Sequence, residues 1–378
     1  MGLGLEKSLI LAKKICFLLA DLRNVGPTRQ TLNIIKYSGV KENCVVLTLF
    51  EEPDETLIDE YRKEEIPVEC LCLNRKLFFF NGISKIVSFC KEKSISVIHS
   101  YGVKPDIIGH LAAKKAGIKH IITLRNFPME DLSGRMNPWV GKVIAQFHLF
   151  ALKRCKYLVA CSKTIADKMH KAYGVNITAI QNGVDTEKFQ CQKTQSRNDL
   201  YSQFALNEST KIFICTNSFI QRKHNNEIAD AFIQAKLEDA ALVFLGDGPL
   251  LNDIKEKFKD CSNILFLGKQ KNVAAYLQNA DFFISASDSE GLPNAVIESL
   301  ACGCPVILSD IPQHREILDV MPSCGLLYPL HDGESLKACL KQCLNNSFVD
   351  TDVAISQSSF TMKKMGEKYR KFYKGALL

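Results

Sequence analysis

Short, nearly uninterrupted apolar runs alternate along the chain with longer stretches in which apolar residues return every three or four positions. In the first half the short runs are KICFLLAD (14–21), NCVVLTLF (43–50), VECLCL (68–73), SVIHSYG (96–102), HIITLRN (120–126) and YLVACS (157–162). Their continuous apolarity predicts strands buried on both faces, and the segments between them, such as TRQTLNIIKYS and PDIIGHLAAKKAG, carry helical spacing. The cycle restarts with KIFICTNS (211–218), AALVFLGDG (240–248), NILFLG (263–268), DFFISASD (281–288), CPVILSD (304–310) and GLLYPL (325–330). Strand–helix alternation is the pattern of a parallel sheet with crossover helices. Its restart predicts an α/β protein of two Rossmann-like, doubly wound domains facing a cleft.

The Asn182-Gly183 turn signal and the polar run Gln190–Asn198, read as a linker, place the boundary between the domains. We expect a first domain over 1–185, a second over 186–360, and a last helix over 361–378 that packs back on the first domain. A length of 378 residues suits two cores of this kind.

Charge is uneven. Residues 1–185 hold 27 Lys and Arg against 18 Asp and Glu, so the formal net charge of +7 belongs to the first half. Such a surface is either simply solvated or drawn to anionic lipid or phosphate. No nucleic-acid-binding motif accompanies it, so a nucleic-acid partner is not expected. The stretch NPWVGKVIAQFHLFALKRCKYL sets Trp139, Phe147 and Phe150 among Lys142, Lys153, Arg154 and Lys156, and RKLFFFNGISK adds consecutive aromatics between cations. Either is readable as a core helix or as a peripheral contact with the inner face of an anionic membrane. The 15 cysteines are odd in number and scattered through apolar segments, which fits reduced thiols and a cytoplasmic chain. Cys70/Cys72 and Cys302/Cys304 lack a second pair at zinc spacing, and no metal site is expected there.

Candidate chemistry gathers where strands end, because open α/β sheets bind ligands beyond the carboxyl ends of their strands. Arg222 and Lys223 follow one strand and can neutralise a diphosphate without metal. Gly246 and Gly248 follow the next and would let backbone approach a ligand, without the spacing of a dinucleotide fingerprint. In DFFISASDSEGLPNAVIESLACGCPVI, a strand leads through a loop into a helix beginning near Pro293 and Asn294. Glu290 falls in the loop and Glu298 inside the helix, and the backbone N–H groups between Gly291 and Ala295, Pro293 having none, present a half-positive end. A nucleoside diphosphate sugar suits that geometry, the helix end taking oxygens and the carboxylates taking vicinal hydroxyls. Alternatively, Glu290 is a cap-like acid and Glu298 part of a surface pair.

Glu290 and Glu298 stand in a Glu-x7-Glu arrangement within SDSEGLPNAVIESLACGCPVI; with NGVD (182–185), Phe189, LVFLGDGPL and FLG (266–268), it resembles the retaining glycosyltransferases of family four across most of 90–330. That resemblance implies a GT-B fold and a hexose or N-acetylhexosamine moved from a nucleotide sugar, most simply UDP-linked, to a lipid-linked glycan on a polyprenyl diphosphate. It implies Glu298 on the ribose, Glu290 on donor-sugar hydroxyls, and Arg222 and Lys223 on the diphosphate. Gly291, Leu292 and Pro293 would offer backbone to sugar and phosphate. In the first domain IHSYGVKPD and TLRNFPMED resemble segments of enzymes that build bacterial surface polysaccharides, with Tyr101 and Arg125 where histidines are typical. The usual Gly-Gly loop is reduced to Val25-Gly26-Pro27, with Arg23 and Arg29 beside Gly26 as candidates for an acceptor phosphate. Front-face attack implies no cofactor and no divalent metal, although Asp288-Ser289-Glu290 looks superficially like a metal-binding pair of acids. Two rivals stay open: a nucleotide-sugar 2-epimerase of related fold, and a non-catalytic GT-B subunit that binds glycan or lipid.

Overall fold

The computed structural model describes residues 13–128, 138–202, 204, 206 and 209–377. Asn137, at the head of the expected aromatic helix, and the residues of TLRNFPMED past Pro128 lie outside the described residues. The chain forms two compact units, Met1–Asn182 with Met362–Leu378, and Gly183–Thr361.

The first unit is built on seven parallel strands: β1 (Lys14–Leu19), β2 (Cys44–Thr48), β3 (Val68–Cys70), β4 (Ile95–Tyr101), β5 (Lys119–Leu124), β6 (Tyr157–Ala160) and β7 (Thr178–Ala179). Their order across the sheet is β3-β2-β1-β4-β5-β6-β7. β1 is an inner strand, in register with β2 through Phe17↔Val46 and with β4 through Phe17↔His99. One face of the sheet packs Phe17, Leu19, Val46, Val97 and Ile121, and the other packs Cys16, Leu18, Val45, Leu47 and Ile98. The inner strands β1, β2, β4 and β5 are therefore covered on both sides, which is why the sequence shows apolar runs there, while the edge strands β3 and β7 stay partly exposed.

The helix Met362–Leu377 belongs to this unit. It buries Met365, Tyr369, Tyr373 and Leu377 at four-residue intervals, one stripe of an α-helix. It packs on the helix Gly26–Ser38. A Cβ at Gly366 would lie 2.4 Å from the carbonyl oxygen of Tyr37, so the two backbones meet where only glycine fits.

The second unit has six parallel strands, β8 (Lys211–Thr216), β9 (Ala240–Leu245), β10 (Ile264–Phe266), β11 (Phe282–Ser285), β12 (Val306–Ser309) and β13 (Gly325–Tyr328). They run in the order β10-β9-β8-β11-β12-β13, the doubly wound order of the first unit again. Phe213, Phe232, Phe244, Phe282 and Ile307 lie in its core.

Two expectations need correction. The strands are shorter at their C-terminal ends than the apolar runs imply: β11 stops at Ser285, and Ala286–Asp288, read as strand, form the loop that carries the site. The run Gln190–Asn198, although mostly exposed, is tied to the second unit by several hydrogen bonds. The Gln278 amide donates to Gln190 O (3.0 Å), the Asn279 amide to Gln195 O (3.0 Å), and Arg197 Nη1 to Thr210 O (2.8 Å). A short helix, Arg197–Tyr201, starts inside it with Ser196 as N-cap. β7 was not foreseen, since two residues carry no pattern.

Candidate functional site

In the second unit the strand order reverses between β8 and β11, the kind of point at which open α/β sheets bind ligands. Asp288 N donates to Arg222 O at 2.9 Å, joining the loops after β8 and β11 backbone to backbone. The β8 loop makes a 3-10 turn over Gln221–Lys223. From it, Arg222 Nη1 donates to Ser289 O (2.7 Å) and lies 3.4 Å from Glu290 Oε2, while Lys223 Nζ pairs with Glu290 Oε1. Arg222, Lys223 and Glu290 are thus one cluster.

The Glu290 side chain is only 10% exposed. Burial raises its pKa, but the charges of Lys223 and Arg222 and hydrogen bonds from Lys223 and Ser287 outweigh burial and hold the carboxyl at about 2. It is an anion at neutral pH. Two cations against one carboxylate leave an unspent positive charge, and Arg222 keeps about a third of its side chain exposed to offer it to a ligand.

The helix Asn294–Ala301 begins beside this cluster with Pro293 at its N-cap, no capping side chain and no acidic residue in its first turn. A helix end of this kind carries a partial positive charge that favours an oxygen ligand. Gly291, Leu292 and Pro293 are buried under that end, and Glu298 is half-buried one turn further along the helix.

Gly246 and Gly248, expected to let backbone approach a ligand, also pack tightly on the chain before them. Their φ values are 143° and 157°, and a Cβ would fall 1.8 Å from Asn217 O and 2.6 Å from Phe219 O. This close approach is to the backbone of the β8 loop, which they support. Sequence reasoning passed over Ser287 and His314. His314 is fully buried, its Nδ1 2.7 Å from Ser309 O; since a carbonyl only accepts, Nδ1 carries the proton. Burial pushes its pKa down to about 4, so it is neutral. Ser309 Oγ also donates to Ser287 O (2.8 Å), bracing the Glu290 loop from β12. The small polar residues after each strand were the signal that could have found them.

The first unit reverses between β1 and β4. There Gly26 opens the helix Gly26–Ser38, and Arg29 is held by Glu60 (2.8 Å) and Asn24 (2.9 Å). Arg23 and Arg75 both pair with buried Asp21. Tyr101 is buried, its hydroxyl 3.1 Å from His99 Nδ1, which also meets the Tyr373 hydroxyl at 2.8 Å. His99 Nε2 meets Thr123 Oγ1 at 2.8 Å. Arg125 lies 5.4 Å from the centre of the Tyr101 ring, and its Nη1 donates to Asn182 Oδ1 at 2.6 Å. Its Nε and Nη2 are buried with no hydrogen-bond partner among the described residues. So the residue standing in a histidine's usual place presents unpaired donors, which a buried polar group does not keep without cost.

Two Rossmann-like parallel-sheet units in one chain define the GT-B class. The family model described as glycosyl transferases group 1 matches residues 210–346, and that of glycosyltransferase family 4 matches 42–188. The chain belongs to this family of glycosyltransferases. Among curated relatives, the UDP-Gal:alpha-D-GlcNAc-diphosphoundecaprenol alpha-1,3-galactosyltransferase of Escherichia coli is 26% identical over 305 residues, 74% of this chain and 77% of the relative. The Escherichia coli O-antigen biosynthesis glycosyltransferase WclY is 24% identical over 375 residues, 95% of this chain and 98% of its own. The crystal structure of Anabaena HepE in complex with UDP and glucose superposes with a TM-score of 0.78 at 16% identity, covering 95% of this chain and 98% of that one.

Proposed function

We propose that the protein is a retaining glycosyltransferase that moves a hexose or N-acetylhexosamine from a UDP-sugar to a lipid-linked, polyprenyl diphosphate glycan in bacterial surface-polysaccharide biosynthesis. The observation that carries the reading is the convergence of Arg222, Lys223 and ionised Glu290 at the switch point of the second unit, beside an uncapped helix end. The second domain binds the donor: Arg222 and Lys223 hold the diphosphate, the backbone of Gly291, Leu292 and Pro293 and the helix end that follows face sugar and phosphate oxygens, Glu298 takes the ribose hydroxyls and Glu290 those of the sugar. Gly246 and Gly248 act by holding the β8 loop in place. The first domain binds the acceptor through the loop at Gly26 and Arg29 and through Tyr101 and Arg125.

In the reaction, the acceptor hydroxyl oxygen bonds to the anomeric carbon on the face from which the nucleoside diphosphate departs. The bond from that carbon to the phosphate oxygen breaks, and the hydroxyl proton passes to the leaving phosphate. The configuration is kept without a covalent enzyme intermediate. The protein supplies orientation and charge stabilisation, chiefly from Arg222 and Lys223.

Peripheral membrane attachment belongs to the same reading, since the acceptor is a lipid. Among the described residues no helix is long and apolar enough to cross a membrane. The helix Pro138–Arg154 does expose Trp139 (78%), Phe147 and Phe150, with Arg154 stacked 3.6 Å from the centre of the Phe150 ring. Aromatic side chains beside cations favour the headgroup layer of an anionic leaflet.

The test is calorimetric titration of the protein with UDP and with GDP. We expect UDP binding that persists in EDTA and weakens about 10- to 100-fold in Glu298→Ala, the worth of hydrogen bonds to a charged group. Absence of binding to either nucleotide would overturn the donor-site assignment and favour a non-catalytic glycan-binding subunit.

A further inference from the structure

We propose that His224, Glu227 and His331 form a site for a divalent transition-metal ion of the zinc class, with Asp288 as the carboxylate behind both imidazoles. The four residues come from three separate places in the second unit. His224 ends the β8 loop and Glu227 lies in the first turn of the following helix, Asn225–Ala235. Asp288 sits in the β11 loop, and His331 in the turn after β13. The two histidines are 107 positions apart, so no linear motif announces them.

The atoms converge. One ligand atom from each of His224, Glu227 and His331 lies within 4.8 Å of the other two. Glu227 Oε1 is 2.8 Å from His224 Nδ1 and 3.2 Å from His331 Nδ1. Bonds of about 2.0–2.1 Å in a tetrahedral zinc site put neighbouring ligand atoms roughly 3.3 Å apart, so the present spacing needs only a small expansion. Two imidazole nitrogens and one carboxylate oxygen suit zinc and its neighbours, while calcium and magnesium take oxygen.

A second feature points the same way. The side chain of His224 is only 9% exposed, and its Nε2 lies 2.7 Å from Asp288 Oδ1. Neither atom has an aligned hydrogen-bond partner among the described residues. The same oxygen is 3.3 Å from His331 Nε2. Thus each ring turns one nitrogen towards Glu227 and the other towards Asp288. Metal-binding histidines have this arrangement, the nitrogen away from the ion facing a carboxylate that fixes tautomer and ring angle. The rings themselves pack edge to face at 4.6 Å between centres.

Charge and access also fit. With neutral imidazoles the two carboxylates contribute −2, which the ion cancels, while Arg222 and Lys223 are already directed to Ser289 and Glu290. His331 is half-exposed, leaving an entry path and room for water in the fourth position. The ion would clip together the β8, β11 and β13 loops. It would act through their position and would take no part in the bond exchange.

The experiment uses the full chain, stripped with a chelator and free of nucleotide. Cobalt(II) is titrated while the visible absorbance of a four-coordinate ion is followed, and zinc(II) affinity is read by competition with a coloured indicator. We expect one ion per chain, binding at least about tenfold weaker in His331→Ala and in Glu227→Gln, and a rise in Tm on adding zinc that both variants lose. His331 is exposed enough that its variant should fold, which circular dichroism checks. If the wild type binds no ion, or both variants bind as the wild type does, the proposal fails and the four residues are an ion-pair network. Because no nucleotide is present, that failure would leave the UDP-site reading standing.

Discussion

The two units share a strand order, yet the residues at their switch points are arranged differently. In the second unit two cations face one buried carboxylate, leaving positive charge for an anion. In the first unit Arg23 and Arg75 likewise share one buried carboxylate, Asp21, while Arg29 is held by Glu60. Below them lies an uncharged chain of His99, Tyr101, Thr123 and Tyr373. Twisting and winding fix where a site can be; the loop residues decide what it can hold. In the second unit the cations and the carboxylate form one cluster with Arg222 partly exposed, while in the first the neutral chain is buried and Arg125 is held by Asn182 Oδ1.

The largest test of this contrast is kinetic. Arg222→Ala and Lys223→Ala are each expected to lower kcat by about 100-fold, the usual cost of removing one preorganised charge donor. Arg125→Ala is expected to cost about tenfold, in acceptor KM more than in kcat. Equal effects on kcat from both units would break the contrast. A smaller effect is expected from Tyr373→Phe, which strips the hydroxyl from buried His99 Nδ1; urea unfolding should show a loss of about 1–2 kcal/mol with UDP affinity unchanged.

The smallest effect is a difference in acid response. Burial lowers the pKa of His99 far below its usual value and that of His120 to about 3, so both stay neutral when folded. The unfolded chain takes up protons on them from about pH 6.5 downwards, so the first unit loses stability as pH falls below that value. Glu290 is shifted the other way: the stability it contributes is present above the unfolded carboxyl value, near 4.5, and is lost only as pH falls towards about 2. Buried His314, its pKa pushed down to about 4, gives the second unit a loss of the same sign. Hydrogen exchange at pH 5.5 should therefore quicken in peptides of β4 and β5 and in those around His314; unchanged exchange in β4 and β5 would contradict this sign.

Much of this was legible in the sequence, for physical reasons that particular residues show. Strands covered on both faces leave apolar runs, so β1, β4, β8 and β9 could be read directly. Arg222, Lys223 and Glu290 could be placed because ligand chemistry follows strand ends. Local reading stops short where the partner is distant. Gly246 and Gly248 answer to Asn217 and Phe219, about 30 positions away, and His314 reaches the Glu290 loop through Ser309. The polar run Gln190–Asn198 looked unstructured because its partners, Gln278 and Asn279, lie on a helix end far along the chain.

The seat of the helix Met362–Leu377 on the helix Gly26–Ser38 has a consequence for synthesis. Tyr369, Tyr373 and Leu377 are core residues of the unit whose strands are translated first. On the ribosome, therefore, the second unit has its whole sequence before the first has its own. The earlier-made sheet must wait, with the groove along Tyr37 and the face of His99 open, until the last helix emerges to fill it.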